Sequence, residues 1–429
     1  MTTFSGILVI NHSKATILQN NYKEVIDHVW QIVYRDFLDS SGNFESSNWI
    51  TLRKEFLAKK YSDNNEAYDA IRDMLSNLND PYTRFLDPKE FNQMRIDTSG
   101  ELTGVGIQIV KDKESDSLII ISPIEGTPAY DAGIKARDKI LSIDNVSTKG
   151  LNIEDAVKLI RGRRGTKVKL EILRNGNSFY KSLLRERIEI KSVTSKINQT
   201  KDGLLIGYVR LKQFNANASK EMKDTLKDLE IKKVSGYVLD LRSNPGGLLE
   251  SSIDISRQFI DKGIIVSTLS KDGLKEIKRA NGKTLTKKPL IVLVNEGSAS
   301  ASEIVSGAIR DNNRGKLVGE KTFGKGLVQS MRTLVDGSGL TVTVAKYLTP
   351  NGTDINKFGI TPDIVVKMNS NPILQREIGT KRDRQYRAGE KALIKIIKKN
   401  KLVSQFKPRS VNLLAVFKNK ENNFVYSLN

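Results

Sequence analysis

The spacing of apolar residues changes period along this chain, and the changes divide it. From position 20 to about 91, apolar residues recur at three-and-four spacing, first at Val25, Val29, Ile32 and Val33, then at Ala67, Ala70, Ile71, Met74, Leu75 and Leu78. That is the period of helices with one buried stripe. Asn79-Asp80-Pro81 stops the second helix, because proline can neither donate nor continue the helical bonding. The pattern predicts a helical N-terminal cap over 17–97, with Trp30 and Trp49 as packing residues. Beyond Thr98 the period drops to two in short runs broken by Gly and Asp turns, at 104–110, 118–121, 139–143 and 167–173. The last run closes on the hairpin signal Asn175-Gly176. With short helices expected at 128–132 and 153–161, residues 98–185 read as one small β-rich module. From Ile188 strands (203–211, 236–241, 290–295) alternate with helices (218–229, 248–260, 300–311). Such alternation predicts an α/β core over 186–370 with mostly parallel strands and ligands beyond their carboxyl ends. Residues 371–429 form a basic C-terminal region. Ala392, Leu393, Ile396 and Ile397 among its lysines predict a helix that docks on the body, with peripheral membrane contact as the alternative use of its charged face. The fold class is α/β and multi-domain, as expected for 429 residues.

Composition narrows the chemistry. Lys and Arg number 70 against 49 Asp and Glu, a net charge of +21 that favours an acidic partner without choosing among nucleic acid, lipid and polypeptide. The chain has no cysteine, which excludes disulfides, thiolate nucleophiles and Cys-ligated zinc. Its two histidines, His12 and His28, have no partner at metal-ligand spacing, so neither a His-based triad nor a metal site is expected. No apolar run approaches the roughly 18 residues of a membrane span. The run at 4–10 (FSGILVI), followed by Ser13-Lys14-Ala15, reads as a truncated export signal over 1–16, without the charged segment that should precede it.

Two strand ends carry the candidate chemistry. Asp240 to Gly247 (DLRSNPGG) runs from a strand through paired glycines into a helix, which presents backbone N–H groups beside a positive helix end. Asn295 to Glu303 (NEGSASASE) crowds hydroxyls at a helix start, where one or two serines serve only as caps. A third segment, Gly319 to Gly326 (GEKTFGKG), begins like a phosphate-binding P-loop. It then fails, because Gly326 replaces the magnesium-holding hydroxyl and a strand pattern follows. Ser178 to Lys181 spells Ser-x-x-Lys inside a strand, where no helix start would activate the serine. With histidine excluded, the base for a serine nucleophile has to be a neutral lysine, and Lys325 sits on a glycine-flanked loop after Phe323. In the β-rich module, the loop Gly104, Val105, Gly106 and Ile107 offers N–H groups that can cradle a terminal carboxylate beside an open strand edge.

The segments at 104–109, 240–247, 297–304 and 319–329, with AKYLTPNG at 345–352 and ITPDIV at 360–365, resemble the carboxyl-terminal processing peptidases, or tail-specific proteases. The resemblance spans nearly the whole chain. It implies a PDZ module on a Ser-Lys endopeptidase core that binds the C-terminal tails of protein substrates and cleaves near them, without a cofactor. Carried over by residue, Ser300 is the nucleophile and Lys325 its base. Asp311 and Gln329 match positions tied to activity, as supports that orient the site, and Gly246 and Ala301 match the oxyanion donors. Relatives work in the periplasm or thylakoid lumen, and some trim the precursor of a photosystem II reaction-centre protein. Two other classes compete. A non-catalytic PDZ peptide-binding protein would make the Ser300 and Lys325 pair coincidental, and a nucleic-acid binder lacks any reading element or stacking platform.

Overall fold

The computed structural model describes residues 8–39, 42, 44, 46–112, 115–368 and 377–406. Of the segment read as an export signal, residues 1–7 lie outside the described residues and 8–16 begin the first helix. Residues 369–376 and 407–429 of the basic C-terminal region also lie outside them.

The cap is built from helices Leu8–Asp36, Ser46–Ala58 and Asn64–Ser76. Asp63 caps the third, its side chain accepting from the Glu66 N–H. Val29, Trp49, Ile71 and Met74 form a core that extends onto Leu340 and Val342 of the protease core. The two tryptophans clasp the first helices together, since Trp30 Nε1 donates to the Trp49 carbonyl at 2.7 Å and Trp49 Nε1 returns to Trp30 at 3.2 Å. A fourth helix, Pro88–Ser99, starts at a capping box between Asp87 and Glu90 and ends at Gly100 in the left-handed conformation.

The β-rich module follows the predicted order. Strands Ile107–Lys111, Leu118–Pro123, Lys139–Ile143, Lys167–Arg174 and Asn177–Leu184 form an antiparallel sheet, and helix Ile153–Ile160 helps to close a core of Leu118, Ile120, Ile140 and Leu170. The chain enters and leaves the module on two antiparallel strands, Glu101–Gly104 and Glu186–Glu189.

The α/β core carries a sheet in the order Val193–Gln199, Leu205–Leu211, Gly236–Asp240, Leu290–Val294, Lys316–Gly319, Ile364–Val365. The first pair is antiparallel and the rest are parallel. Helices Ala218–Ile231, Leu249–Phe259 and Ala301–Asp311 contribute to the core on one face, and Arg384–Phe406 covers the other through Tyr386, Leu393 and Ile397. Burial on both faces explains why Leu290–Val294 is apolar throughout. The C-terminal helix therefore docks as its pattern predicts, with Arg384, Arg387, Lys391 and Lys395 exposed. A second, antiparallel sheet joins the cap to the core: Arg84–Leu86 and Leu327–Thr333 both pair with Gly339–Leu348, which also meets Ile264–Ser270. This sheet, largely absent from the sequence reading, floors the functional cleft.

Candidate active site

Ser300 occupies the turn between strand Leu290–Val294 and helix Ala301–Asp311, with φ +52° and ψ −114°. A non-glycine residue in that region is strained and has to be held. Its N–H donates to Glu303 Oε2 at 2.9 Å, and its carbonyl accepts from the Tyr347 hydroxyl at 3.1 Å and from the Glu303 and Ile304 N–H groups. The neighbouring serines are structural. Ser298 Oγ accepts from the Asn295 N–H and donates to the Leu241 carbonyl, and Ser302 Oγ donates to the Asn244 carbonyl. Both are fully buried, whereas Ser300 is half-buried and lines an open cleft of about 1800 Å³.

Lys325 lines the same cleft. Its loop is tied to the serine turn by the Phe323 N–H, which donates to the Ser298 carbonyl at 3.1 Å, and by one carboxylate. Glu303, fully buried, accepts from Thr322 Oγ1 (2.5 Å) and Gly324 N (2.8 Å) at Oε1, and from Lys325 N and Ser300 N (2.9 Å each) at Oε2. Four donors on one acid fix the two loops relative to each other. Gly324 (φ +92°) is required because a Cβ there would meet the backbone of Lys357 to Gly359 within 3.0 Å. The Lys325 amine lies over the Tyr82 ring, 4.6 Å from its centroid. Burial lowers its pKa from the ordinary lysine value, and the nearby Arg84 charge lowers it further against the opposing pull of Asp80 and Glu303.

Gln329 also lines the cleft, with its amide 3.4 Å from Thr343 Oγ1. Thr343 donates in turn to Asp80 Oδ2, which also accepts from Thr83. Tyr82, Arg84 and Tyr347 border the cleft as well, and none of them was named as a site residue from sequence. Proline marked 79–81 only as a helix stop, and nothing local reveals that the residues after it join a sheet under Lys325. Glu303 did carry a legible signal, the Ser-x-x-Glu spacing of a capping box from Ser300.

The oxyanion assignment changes in detail. A Cβ on Gly246 (φ +104°) would lie 2.9 Å from Ser300 Cβ and 3.0 Å from Ala301 N, so only glycine fits against Ser300. Its N–H, however, donates to Asn244 Oδ1 at 2.9 Å and is not free in this conformation. Phe214 pairs with the Gly246 carbonyl and the Leu248 N–H. The N–H of Gly247 therefore faces away from Phe214, and neither it nor the Ala301 N–H has a partner among the described residues. The turn is anchored from below by Arg242, which binds Asp240 and, at the start of the C-terminal helix, Asp383 (2.7 Å) and Gln385 (3.0 Å).

Two residue groups fall outside the cleft. Asp311 is at the far end of the helix from Ser300, where it receives Arg310 Nε and the Asn351 N–H. It orients nothing within the cleft directly. The loop Gly104 to Ile107 borders the β-rich module, with Val105 in that module's core and Gly106 (φ +81°) packed on Thr127. The P-loop reading is excluded, since strand Leu327–Thr333 follows Gly326. Among the described residues no acidic or histidine cluster could hold a metal, and no helix is long and apolar enough to cross a membrane.

A family model described as peptidase family S41 matches residues 205–366, and a PDZ-domain model matches residues 119–174. The carboxyl-terminal-processing protease of Synechocystis sp. is 42% identical over 386 residues, 89% of each chain. The chain belongs to peptidase family S41, as a carboxyl-terminal-processing serine protease with a PDZ domain. The C-terminal processing peptidase of Tetradesmus obliquus, a chloroplastic protein, is 39% identical over 350 residues, 78% of this chain and 75% of its own. Among solved structures, a photosystem II D1 C-terminal processing protease is 37% identical, with a TM-score of 0.52, covering 81% of this chain and 93% of the other. The S41 match runs from strand Leu205–Leu211 to strand Ile364–Val365 and so contains both Ser300 and Lys325. Tyr82 and Arg84 precede it, between helices Asn64–Ser76 and Pro88–Ser99.

Proposed function

We propose that this S41 protease works by a Ser300–Lys325 dyad. The observation that carries the reading is Glu303, which binds the N–H groups of Ser300 and Lys325 through one oxygen at 2.9 Å each and so holds the two loops together at the cleft. Ser300 Oγ attacks the scissile carbonyl carbon while its proton passes to neutral Lys325 Nζ. The Ala301 N–H and the paired-glycine turn meet the developing oxyanion, Gly247 in the conformation described and Gly246 after leaving Asn244. Collapse of the tetrahedral intermediate expels the amine, which takes the proton back from Lys325, and leaves an ester on Ser300. Water, deprotonated by Lys325, then releases the acid and restores the serine. Gln329 and Tyr347 act as positioning residues. Recognition of the substrate's free C-terminal tail falls to the PDZ domain, with Gly104 to Ile107 as the carboxylate nest.

The cyanobacterial and chloroplastic relatives support a site of action outside the cytoplasm, in the periplasm or thylakoid lumen. The D1-processing neighbour supports a photosystem II reaction-centre precursor as substrate. Incubation of that precursor with the protein and with its Ser300→Ala variant, followed by mass measurement of the carboxyl end, tests both dyad and substrate. Trimming by the wild type alone is expected. Trimming by both would overturn the nucleophile, and trimming by neither, with another unfolded protein still cleaved, would overturn the substrate.

A further inference from the structure

Arg84 is a cation in the catalytic cleft with no partner among the described residues. It stands opposite Thr341 in the sheet, and Thr341 stands opposite Met331 on the next strand. Directly paired residues share a face, and all three line the cleft beside Lys325 and Gln329. The other cations of the cleft are engaged: Lys89 holds Glu154, Lys158 holds Asp155, and Arg161 reaches Gln93. The nearest carboxylates in sequence are occupied too, Asp80 by Thr83 and Thr343, and Asp87 as the cap of Pro88–Ser99. That leaves Arg84 and the lysine assigned as base.

We propose that Arg84 is a substrate-binding residue that takes a carboxylate of the polypeptide lying in the cleft. The inference rests on the Ser300–Lys325 reading for the position of the reacting bond. The carboxylate is either an Asp or Glu side chain or the end of a short tail. A guanidinium offers paired donors matched to the two oxygens of either, which a lysine in its place would not. Arg84 is exposed toward the cleft, so its guanidinium is open to an incoming polypeptide. Substrate choice would then be made twice, by the PDZ domain on the tail and by Arg84 on a charge near the scissile bond.

The test uses matched peptides that differ only by Glu or Gln at successive positions, and by acid or amide at the carboxyl end. Their kcat/KM ratios are compared within the wild type, Arg84→Gln, Arg84→Lys and Arg84→Glu proteins. Because each ratio is internal to one variant, any change in the basicity of Lys325 cancels. One charge-assisted contact corresponds to a preference of about tenfold for the carboxylate form. That preference should vanish in Arg84→Gln, persist in part in Arg84→Lys, and turn toward a Lys-containing peptide in Arg84→Glu. The position that responds identifies the source, side chain or terminus. The same pairs titrated into the Ser300→Ala protein read the preference as binding. A preference in binding without any turnover by the wild type would condemn the dyad and keep the Arg84 site. A wild type that discriminates at no position, or an Arg84→Gln ratio equal to the wild type's, overturns the proposal.

Discussion

Three serines at alternate positions share one turn and meet different fates, decided by what each hydroxyl touches. Ser298 and Ser302 face inward to backbone groups, and Ser300 faces the cleft. Ser300→Ala should remove activity and leave the melting temperature nearly unchanged. Ser298→Ala should destabilise by about 1–3 kcal/mol, the cost of leaving the buried Asn295 N–H unpaired, and Ser302→Ala by about 1 kcal/mol, since the Asn244 carbonyl keeps the Ala299 N–H, both retaining turnover in the fraction that stays folded. Equal loss of activity in all three, measured beside thermal melts, would contradict the assignment. At Lys325 the expectation turns on proton release. Lys325→Arg should be as inactive as Lys325→Ala, since guanidinium does not deprotonate in proteins. An active Arg variant would place the base elsewhere.

Among the elements, helix Ala301–Asp311 separates two residues that sequence reasoning had grouped. Eleven residues at 1.5 Å each put Asp311 roughly 16 Å from Ser300, so its carboxylate supports the far end of the helix. Asp311→Asn should change kcat by no more than a few-fold, measured with saturating peptide. Glu303, on the first turn of the same helix, should behave differently. Glu303→Gln sets an amide donor against N–H donors in a buried site and should cost about 2–3 kcal/mol of stability. It should also lower kcat far more than it raises KM, because the bound substrate is not touched but Ser300 and Lys325 lose the acceptor their N–H groups share. A Glu303→Gln enzyme with native kcat would show that the loops hold their register without it. The PDZ sheet makes a separate prediction. Amidating a tail peptide should weaken its binding to the Ser300→Ala protein if Gly104 to Ile107 grips the carboxylate, and calorimetric titration of acid and amide forms decides it.

At the scale of the whole molecule, the lowered pKa of Lys325 is a product of assembly. Tyr82 and Arg84 come from the segment after helix Asn64–Ser76, Glu303 from the helix that follows Ser300, and the loop itself from the end of strand Lys316–Gly319. Burial first, and the Arg84 charge second, push the pKa below the ordinary lysine value. A lowered lysine pKa means that the neutral, basic form appears at lower pH than in a free side chain. The rate should therefore rise with pH through one ionisation and then level off. Arg84→Gln, by removing one cause of the shift, should move that limb toward higher pH. A rate that falls with rising pH in the folded protein would contradict a neutral-lysine base.

The sequence by itself determined what local chemistry dictates. Period-two runs and the Asn-Gly turn marked the strands of the β-rich module, apolar runs marked the buried parallel strands, and helix Arg384–Phe406 followed from its apolar stripe. Ser300 among small neighbours at a strand end, and Lys325 between glycines on a loop, were legible for the same reason, since turns and close approaches restrict residue type at the position itself. Only the tertiary structure decided which of the three serines faces the cleft, that the Gly246 N–H is held by Asn244, and that Asp311 is remote from Ser300. It also brought Asp80, Tyr82 and Arg84 beneath a lysine that follows them by more than two hundred residues. Those placements depend on the pairing of Arg84–Leu86 with Gly339–Leu348, a contact between segments far apart in the chain. Local periodicity can announce each strand, but the partner and register of a distant pair emerge only when the assembled cores bury one face of each.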